Sequence, residues 1–294
     1  MTTIHARLSR NTEIGYHSMT ETELRQLQMT ELQILLAIDA VCTENKIDYF
    51  LDSGTMLGAA RHQGFIPWDD DVDIAMPRTS YEKFLAIGQE ALGQRFFLQT
   101  RRTDPKVPFS FTKVRMNGTE MVERITNDAS THNGIWVDIF PFDTIEGSER
   151  NLAIKRKQWR FWHKLYTTRQ SSLTSAGSNL LKQIAKSIAH LILLPIPLDF
   201  IIKRLDSLGD ANVPLNEAAL ACFHYYTVFT PLKMEDVYPL KRMPFEDHEF
   251  LVLNGWERYL EMTYGNWREV PPVEMRRVHD VVRLKLPEEQ SPVD

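Results

Sequence analysis

Four carboxylates occupy five consecutive positions in Trp68-Asp69-Asp70-Asp71-Val72-Asp73. Like charges at that density repel, so folding them together is unfavourable unless a cation sits among them. Acidic runs are usually solvated loops. This one, however, is flanked by Phe65-Ile66-Pro67 and Ile74-Ala75-Met76, both apolar. Asp71 and Asp73 stand two apart at the head of a strand-like run, which puts both carboxylates on one face. Two same-face carboxylates suit Mg²⁺ (or Mn²⁺), which takes oxygen ligands and shares its remaining positions with phosphate.

Other residues could complete such a centre. Ser53-Gly54-Thr55 reads as a tight turn between a strand and a short helix, Met56 to Arg61. Backbone N–H groups at such a junction, with no Cβ at Gly54, can cradle a phosphate. Asp138 is a lone carboxylate inside the apolar run Ile135–Phe140 and is costly to bury without a cation or donor. Ordinary pairing with an Arg or a backbone N–H is the alternative. Arg61 and His62 follow the short helix and point toward the same site, although a lone His is more often structural.

These residues need a framework. Thr20-Glu21-Thr22-Glu23 has the form of a capping box, opening a helix to about Asn45. Leu24, Leu27, Ile34, Leu35, Ile38 and Val41 recur at helical spacing and should face a core. Ile47–Leu51 and Val72–Met76 read as strands, with Pro77 ending the second and a helix over Ser80–Ala91. Strand-like runs follow at Phe96–Arg101, Phe111–Met116 and Thr119–Glu123, and Asn117-Gly118 signals a hairpin between the last two. Ile135–Phe140 should be a strand ended by Pro141. A helix is expected from Ser148 to about Arg169, then a Ser/Thr/Gly linker at Ser171–Ser178, then mostly helices, including one from Gly255 to Tyr264. The mixture implies an α/β (α+β) class: a mixed-sheet core over residues 20–147 with flanking helices, and a mostly helical extension over 148–294.

At 294 residues the chain can bury a substantial core, and its net charge of −5 gives no general basic surface for nucleic acid. Cys42 and Cys222 lie far apart in apolar surroundings and read as buried free thiols of a reducing compartment. The N-terminus lacks the apolar stretch of a signal peptide. The run Ile184–Ile202 contains Lys186, His190, Pro195, Pro197 and Asp199, too many interruptions for a spanning helix. A buried helix pair broken at the prolines is the favoured reading. An amphipathic surface touching a membrane, flanked by Lys182, Lys186, Lys203 and Arg204, is the alternative. The expected location is cytoplasmic, with peripheral contact at the inner membrane face allowed.

The turn followed by Asp-x-Asp on the next strand, with a third acid later, resembles the nucleotidyltransferase superfamily. More narrowly, Asp52-Ser53-Gly54-Thr55 through Trp68-Asp69-Asp70-Asp71-Val72-Asp73-Ile74 resembles the LicD family, bacterial phosphocholine transferases related to fukutin-type phosphotransferases. Met76-Pro77-Arg78, Lys113-Val114-Arg115, Gly134-Ile135-Trp136-Val137-Asp138 and Tyr264-Gly265-Asn266-Trp267 extend the match. The chain departs from the family pattern at Asn266, where an acid is common, and at His279-Asp280, where the family has a His pair. The resemblance implies transfer of a phosphoalcohol, typically phosphocholine, from a CDP-linked donor to a sugar hydroxyl of a glycan or its lipid-linked precursor, with CMP leaving. Asp71, Asp73 and Asp138 would hold the metal. Asp138 would complete the shell or take the hydroxyl proton. Ser53, Gly54, Thr55, Arg61, His62, Trp68, Asp69 and Asp70 would line the substrate site. Lys113 and Arg115, on one face of their strand, would meet the donor phosphates or else be surface charges. Ribitol, glycerol or ethanolamine could replace choline. Nucleotidyl transfer with pyrophosphate release and a non-catalytic binding role are the rival classes.

Overall fold

Thr20 caps the first helix as its sequence requires: its hydroxyl accepts from the Glu23 amide at 3.2 Å, and the Glu23 carboxylate accepts from the Thr20 amide at 2.8 Å. Helix α1 (Glu21–Asn45) follows, and all six residues expected to face the core are buried. Thr20→Ala removes the hydroxyl that accepts from the Glu23 amide, while the hydrogen bond from the Thr20 amide to the Glu23 carboxylate survives, and should cost about 1 kcal/mol, read as a lower urea midpoint at unchanged slope.

The computed structural model describes residues 19–123, 130–170, 180–225, 229–276 and 278–288. The expected linker Ser171–Ser178 and the side chains of Lys182 and Lys186 lie outside the described residues. Among the described residues one compact unit takes 19–140 with 235–288, and a second takes 141–234. The sequence-based border at 147/148 thus differs from both observed borders, because residues 235–288 return to the first unit.

In the first unit α1 leads to β1 (Phe50–Leu51), α2 (Ser53–His62), β2 (Asp73–Pro77), α3 (Arg78–Leu92), β3 (Phe96–Gln99), β4 (Thr112–Met116), β5 (Glu120–Glu123) and β6 (Trp136–Glu146). The sheet runs in the order β1-β2-β6-β4-β3. Strand β1 pairs antiparallel with β2, aligning Leu51 with Ile74, and β4 pairs antiparallel with β6, aligning Lys113 with Asp138. That second register sets a cation opposite an acid.

The second unit holds the far end of β6, then α4 (Glu149–Gln170), α5 (Leu180–Leu193), α6 (Leu198–Asp206), β7 (Ala218–Ala221) and β8 (Leu232–Lys233). Its core gathers Ile145, Trp159, Tyr166, Ile201, Leu205 and Phe223. The chain then re-enters the first unit with α7 (Met234–Val237), β9 (Lys241–Phe245), β10 (His248–Val252), α8 (Trp256–Tyr264) and β11 (Val281–Lys285).

Several expectations need correction. Strand β1 is only two residues long, because Ile47–Tyr49 approach it without a ladder partner. Asn117-Gly118 makes no β4–β5 hairpin. Instead β5 pairs with β11, while the Asn117 amide donates to Arg95 O on the β3 side. Pro141 does not end β6. It falls between the β4 ladder, which stops at Ile139, and the β7 ladder, which starts at Asp143, where no N–H is needed. The part beyond 148 is less helical than expected, since β7 to β11 all lie there. The prolines do break Ile184–Ile202 into α5 and α6, but α5 is not buried: Ile188 is 52% and Ile192 69% exposed.

Candidate active site

The short helix begins one turn earlier than its sequence suggested. Ser53-Gly54-Thr55 forms the first turn of α2 rather than a separate turn, with Ser53 at φ 46° and Asp52 in the capping position. Asp52 is fully buried. Its Oδ1 accepts from the Tyr259 hydroxyl of α8, which in turn accepts from the Ser53 amide at 3.1 Å. Thr55 Oγ1 accepts from the Asp73 amide at 2.8 Å, and the Asp52 amide donates to Asp73 O at 3.0 Å. The start of α2 is therefore tied directly to the head of β2. A Cβ on Gly54 would lie 2.8 Å from Asp69 Oδ2, so the missing side chain lets that carboxylate approach.

On the acidic run, Gln28 of α1 holds the loop from behind, its Nε2 donating to Asp69 O at 2.9 Å. Asp70 turns inward and is 1% exposed. Both of its oxygens are taken by His279: the backbone amide reaches Oδ2 at 2.8 Å and Nδ1 lies 3.0 Å from Oδ1. The other ring nitrogen, Nε2, stands 3.9 Å from Asp71 Oδ2 and 3.7 Å from Glu123 Oε1. The pairing of β11 with β5 aligns Val281 with Glu123 and so delivers His279 to the acids.

Asp138 enters from β6, its amide donating to Val72 O at 2.9 Å. Lys113 Nζ lies 3.1 Å from Oδ2 and 2.8 Å from Oδ1, the pair being almost wholly buried. Only the Oδ2 contact has hydrogen-bond geometry, so Oδ1 keeps an unmatched lone pair despite the short approach. Lys113 also sits 4.0 Å from the Trp136 ring centre. Arg115, on the same strand face, is 2% exposed, with Nε donating to Gln99 and Nη1 to Gly134 O at 2.6 Å.

The electrostatics follow from this crowding. Burial, then the charges of Asp71 and Asp138, holds the Asp73 carboxyl well above its ordinary value. Asp69 is raised likewise by burial and by Asp71 and Asp70. Asp71 is pushed up to about 6 by burial, with the nearby His279 opposing, although about a quarter (24%) of its side chain is exposed. Burial also takes Asp52 to about 6 and raises Asp138 against the pull of Lys113. His279 rises well above 6.5: burial opposes its charge, but the Asp70 hydrogen bond and the charges of Asp71, Asp70 and Glu123 win. Glu31 of α1, buried with Oε2 unmatched, is raised by burial and the same aspartates. Carboxyls whose charged forms are disfavoured by burial and by one another, with an orphaned Oδ1 on Asp138, fit a divalent ion that prefers oxygen ligands. Among the described residues Asp70, Asp71 and His279 place ligand atoms within 4.8 Å of one another, a group that does not include Asp73 or Asp138.

A pH dependence follows. A carboxyl that keeps its proton to higher pH when folded contributes stability that is complete below its unfolded value, 3.8 for Asp, and is lost as pH rises through its folded value, about 6 for Asp52 and Asp71. In chelator, the melting temperature should therefore fall between about pH 5 and pH 7. A scanning-fluorimetry series checks this, and a rise over that window would contradict it.

Around the rim, Arg61 Nη1 donates to Trp267 O and Glu269 O, each at 3.0 Å, and its Nε reaches His62 at 3.0 Å. Burial lowers the His62 pKa, with Arg61 adding to the effect. His62 meets Trp68 edge-on at 6.2 Å, and the Arg276 guanidinium lies 3.9 Å from the Trp68 ring centre.

The structure thus brings Asp69, Asp70, Asp71, Asp73 and Asp138 together at the start of α2. It gathers Arg61, His62 and Trp68 beside one another, and commits Lys113 to Asp138 and Arg115 to the strand framework. Sequence reasoning assigned no role to His279, Glu31, Glu123, Asp52 or Tyr259. Glu31 had a signal, since it stands four residues from both Leu27 and Leu35 on the apolar face of α1. His279 fell in a segment marked only as a departure.

Acids at the heads of two neighbouring strands beside a glycine-containing helix start keep the arrangement in which the sequence resembles the nucleotidyltransferase superfamily. The sequence signature described as "LicD/FKTN/FKRP, nucleotidyltransferase domain" matches residues 46–180, which carry the strand acids and Lys113. The chain thus carries a LicD-type domain over residues 46–180. It is 25% identical over 271 residues to the lipopolysaccharide cholinephosphotransferase LicD of Haemophilus influenzae, a match covering 90% of this chain and 98% of that one. A shorter match, 36% over 70 residues, links it to an uncharacterized protein of Rickettsia typhi (22% of this chain, 23% of that one). Another, 50% over 44 residues, links it to an uncharacterized protein of Rickettsia prowazekii (15% and 16%).

Proposed function

We propose that this enzyme transfers a phosphoalcohol, phosphocholine foremost, from a CDP-linked donor to a sugar hydroxyl of a cell-surface glycan or its lipid-linked precursor, releasing CMP. The observation that carries the reading is the convergence of Asp71 and Asp73 at the head of β2 with Asp138 of β6, all held above their ordinary pKa. The near full-length similarity to a lipopolysaccharide cholinephosphotransferase supports the substrate class.

Asp71, Asp73 and Asp138 would hold Mg²⁺ or Mn²⁺, whose charge at the donor pyrophosphate offsets what develops as the P–O bond to CMP breaks. The remaining work belongs to the chain. Thr55 and Asp52 fix the backbone of Asp73, and Lys113 fixes the Asp138 carboxylate. Asp138 either completes the ligand shell or takes the proton of the attacking hydroxyl. Gly54 and Thr55 would offer the α2 start to phosphate, the Ser53 amide being held by the Tyr259 hydroxyl, and Arg61, His62 and Trp68 would line the approach. Arg115 acts by holding β4 against Gly134 rather than by touching the donor.

The test is product identity. With CDP-choline and a glycan acceptor, the reading expects CMP and a new phosphodiester on the sugar, seen by phosphorus NMR. The same product from CDP-ribitol, CDP-glycerol or CDP-ethanolamine would correct the headgroup. Pyrophosphate released from CTP would move the chain to nucleotidyl transfer, and no turnover of any donor would overturn the reading.

A further inference from the structure

Helices α5 and α6 each pack on α4 in the second unit, and the three leave much apolar surface in solvent. On α5, Ile184, Ile188, Leu191 and Ile192 follow i, i+4, i+7 and i+8 spacing and are 48–69% exposed. On α4, Ile154, Lys157, Phe161 and Lys164 form a single stripe in which apolar and ammonium groups alternate, all exposed. On α6, exposed Phe200 sits 5.1 Å from the Arg204 guanidinium, which also reaches Trp162 of α4 at 6.0 Å. Eight of the sixteen exposed large apolar side chains among the described residues fall between Ile154 and Phe200. A soluble surface does not concentrate them so.

Charge decides what covers this surface. Residues 149–206 hold eleven Lys and Arg against three Asp and Glu, a net of +8 in a chain whose total is −5. A second copy docking through the same face would set that excess against itself, whereas an anionic surface would neutralise it. No helix among the described residues is long and apolar enough to cross a membrane.

We propose that α4, α5 and α6 form a docking surface for an anionic lipid bilayer. The apolar face of α5 lies among the upper acyl chains, and the lysines and arginines of α4 and α6 meet the headgroups. The proposal does not rest on the chemistry assigned to the aspartates.

Sedimentation of the full chain with vesicles tests it, using phosphatidylcholine alone and phosphatidylcholine mixed with phosphatidylglycerol. The expected result is binding to the mixed vesicles, weakened by salt, and little to the neutral ones. Ile188→Asp with Ile192→Asp, and separately Lys157→Glu with Lys164→Glu, should each lower binding about tenfold or more. Because these side chains are exposed, both variants should keep the native melting temperature and native CDP-choline binding. A chain left in the supernatant with mixed vesicles overturns the proposal, as does equal binding to both kinds. Concentration-dependent dimers in sedimentation velocity, dissolved by the α5 substitutions, would give the face to a second copy instead.

Discussion

Asp71→Asn with Asp73→Asn should lower phosphoalcohol transfer about a thousandfold or more while raising the melting temperature of the metal-free chain. The two effects have one cause. Both carboxyls are held above their ordinary values by burial and by neighbouring acids, so each ionised form costs folding energy until a cation arrives. Amides of the same shape remove that cost and remove the cation's ligands. Parallel measurement of turnover and of thermal unfolding in chelator checks both halves. A variant that lost activity and also melted lower without metal would show that these carboxylates stabilise the fold, contrary to the electrostatic reading.

Lys113→Met should be the most destabilising single change near the site, at about 3–5 kcal/mol, because it leaves the buried Asp138 carboxylate without its cation. Adding Asp138→Asn should recover most of that loss without recovering activity, since the acid is then gone. Urea denaturation of both singles and the double separates the pair's coupling from the cost of a lone buried charge. If Lys113→Met lost less than about 1 kcal/mol, the pair would be behaving as an exposed one.

The parts of this site legible in sequence were those set by local period. The α1 core stripe and its Thr20 cap are local in this way; the Asp71 and Asp73 spacing was read by the same strand period, although β2 begins only at Asp73. Cross-strand register was not legible. Nothing near Lys113 says that it stands opposite Asp138, so it read as a phosphate contact or a surface charge. His279 reaches Asp70 only because β11 pairs with β5, across more than half the chain. Pro141 misled for a related reason: it ends a strand that must continue one ladder, not one that passes between two. The apolar run of α5 read as buried because hydrophobicity alone does not say whether anything packs on it.

The decisive measurement is calorimetric binding of CDP-choline, with and without Mg²⁺, to the native chain and to the Asp71→Asn, Asp73→Asn double variant. Binding should require the metal and disappear in the double variant. Binding that is unchanged by chelator, or that survives loss of both carboxylates, would contradict it.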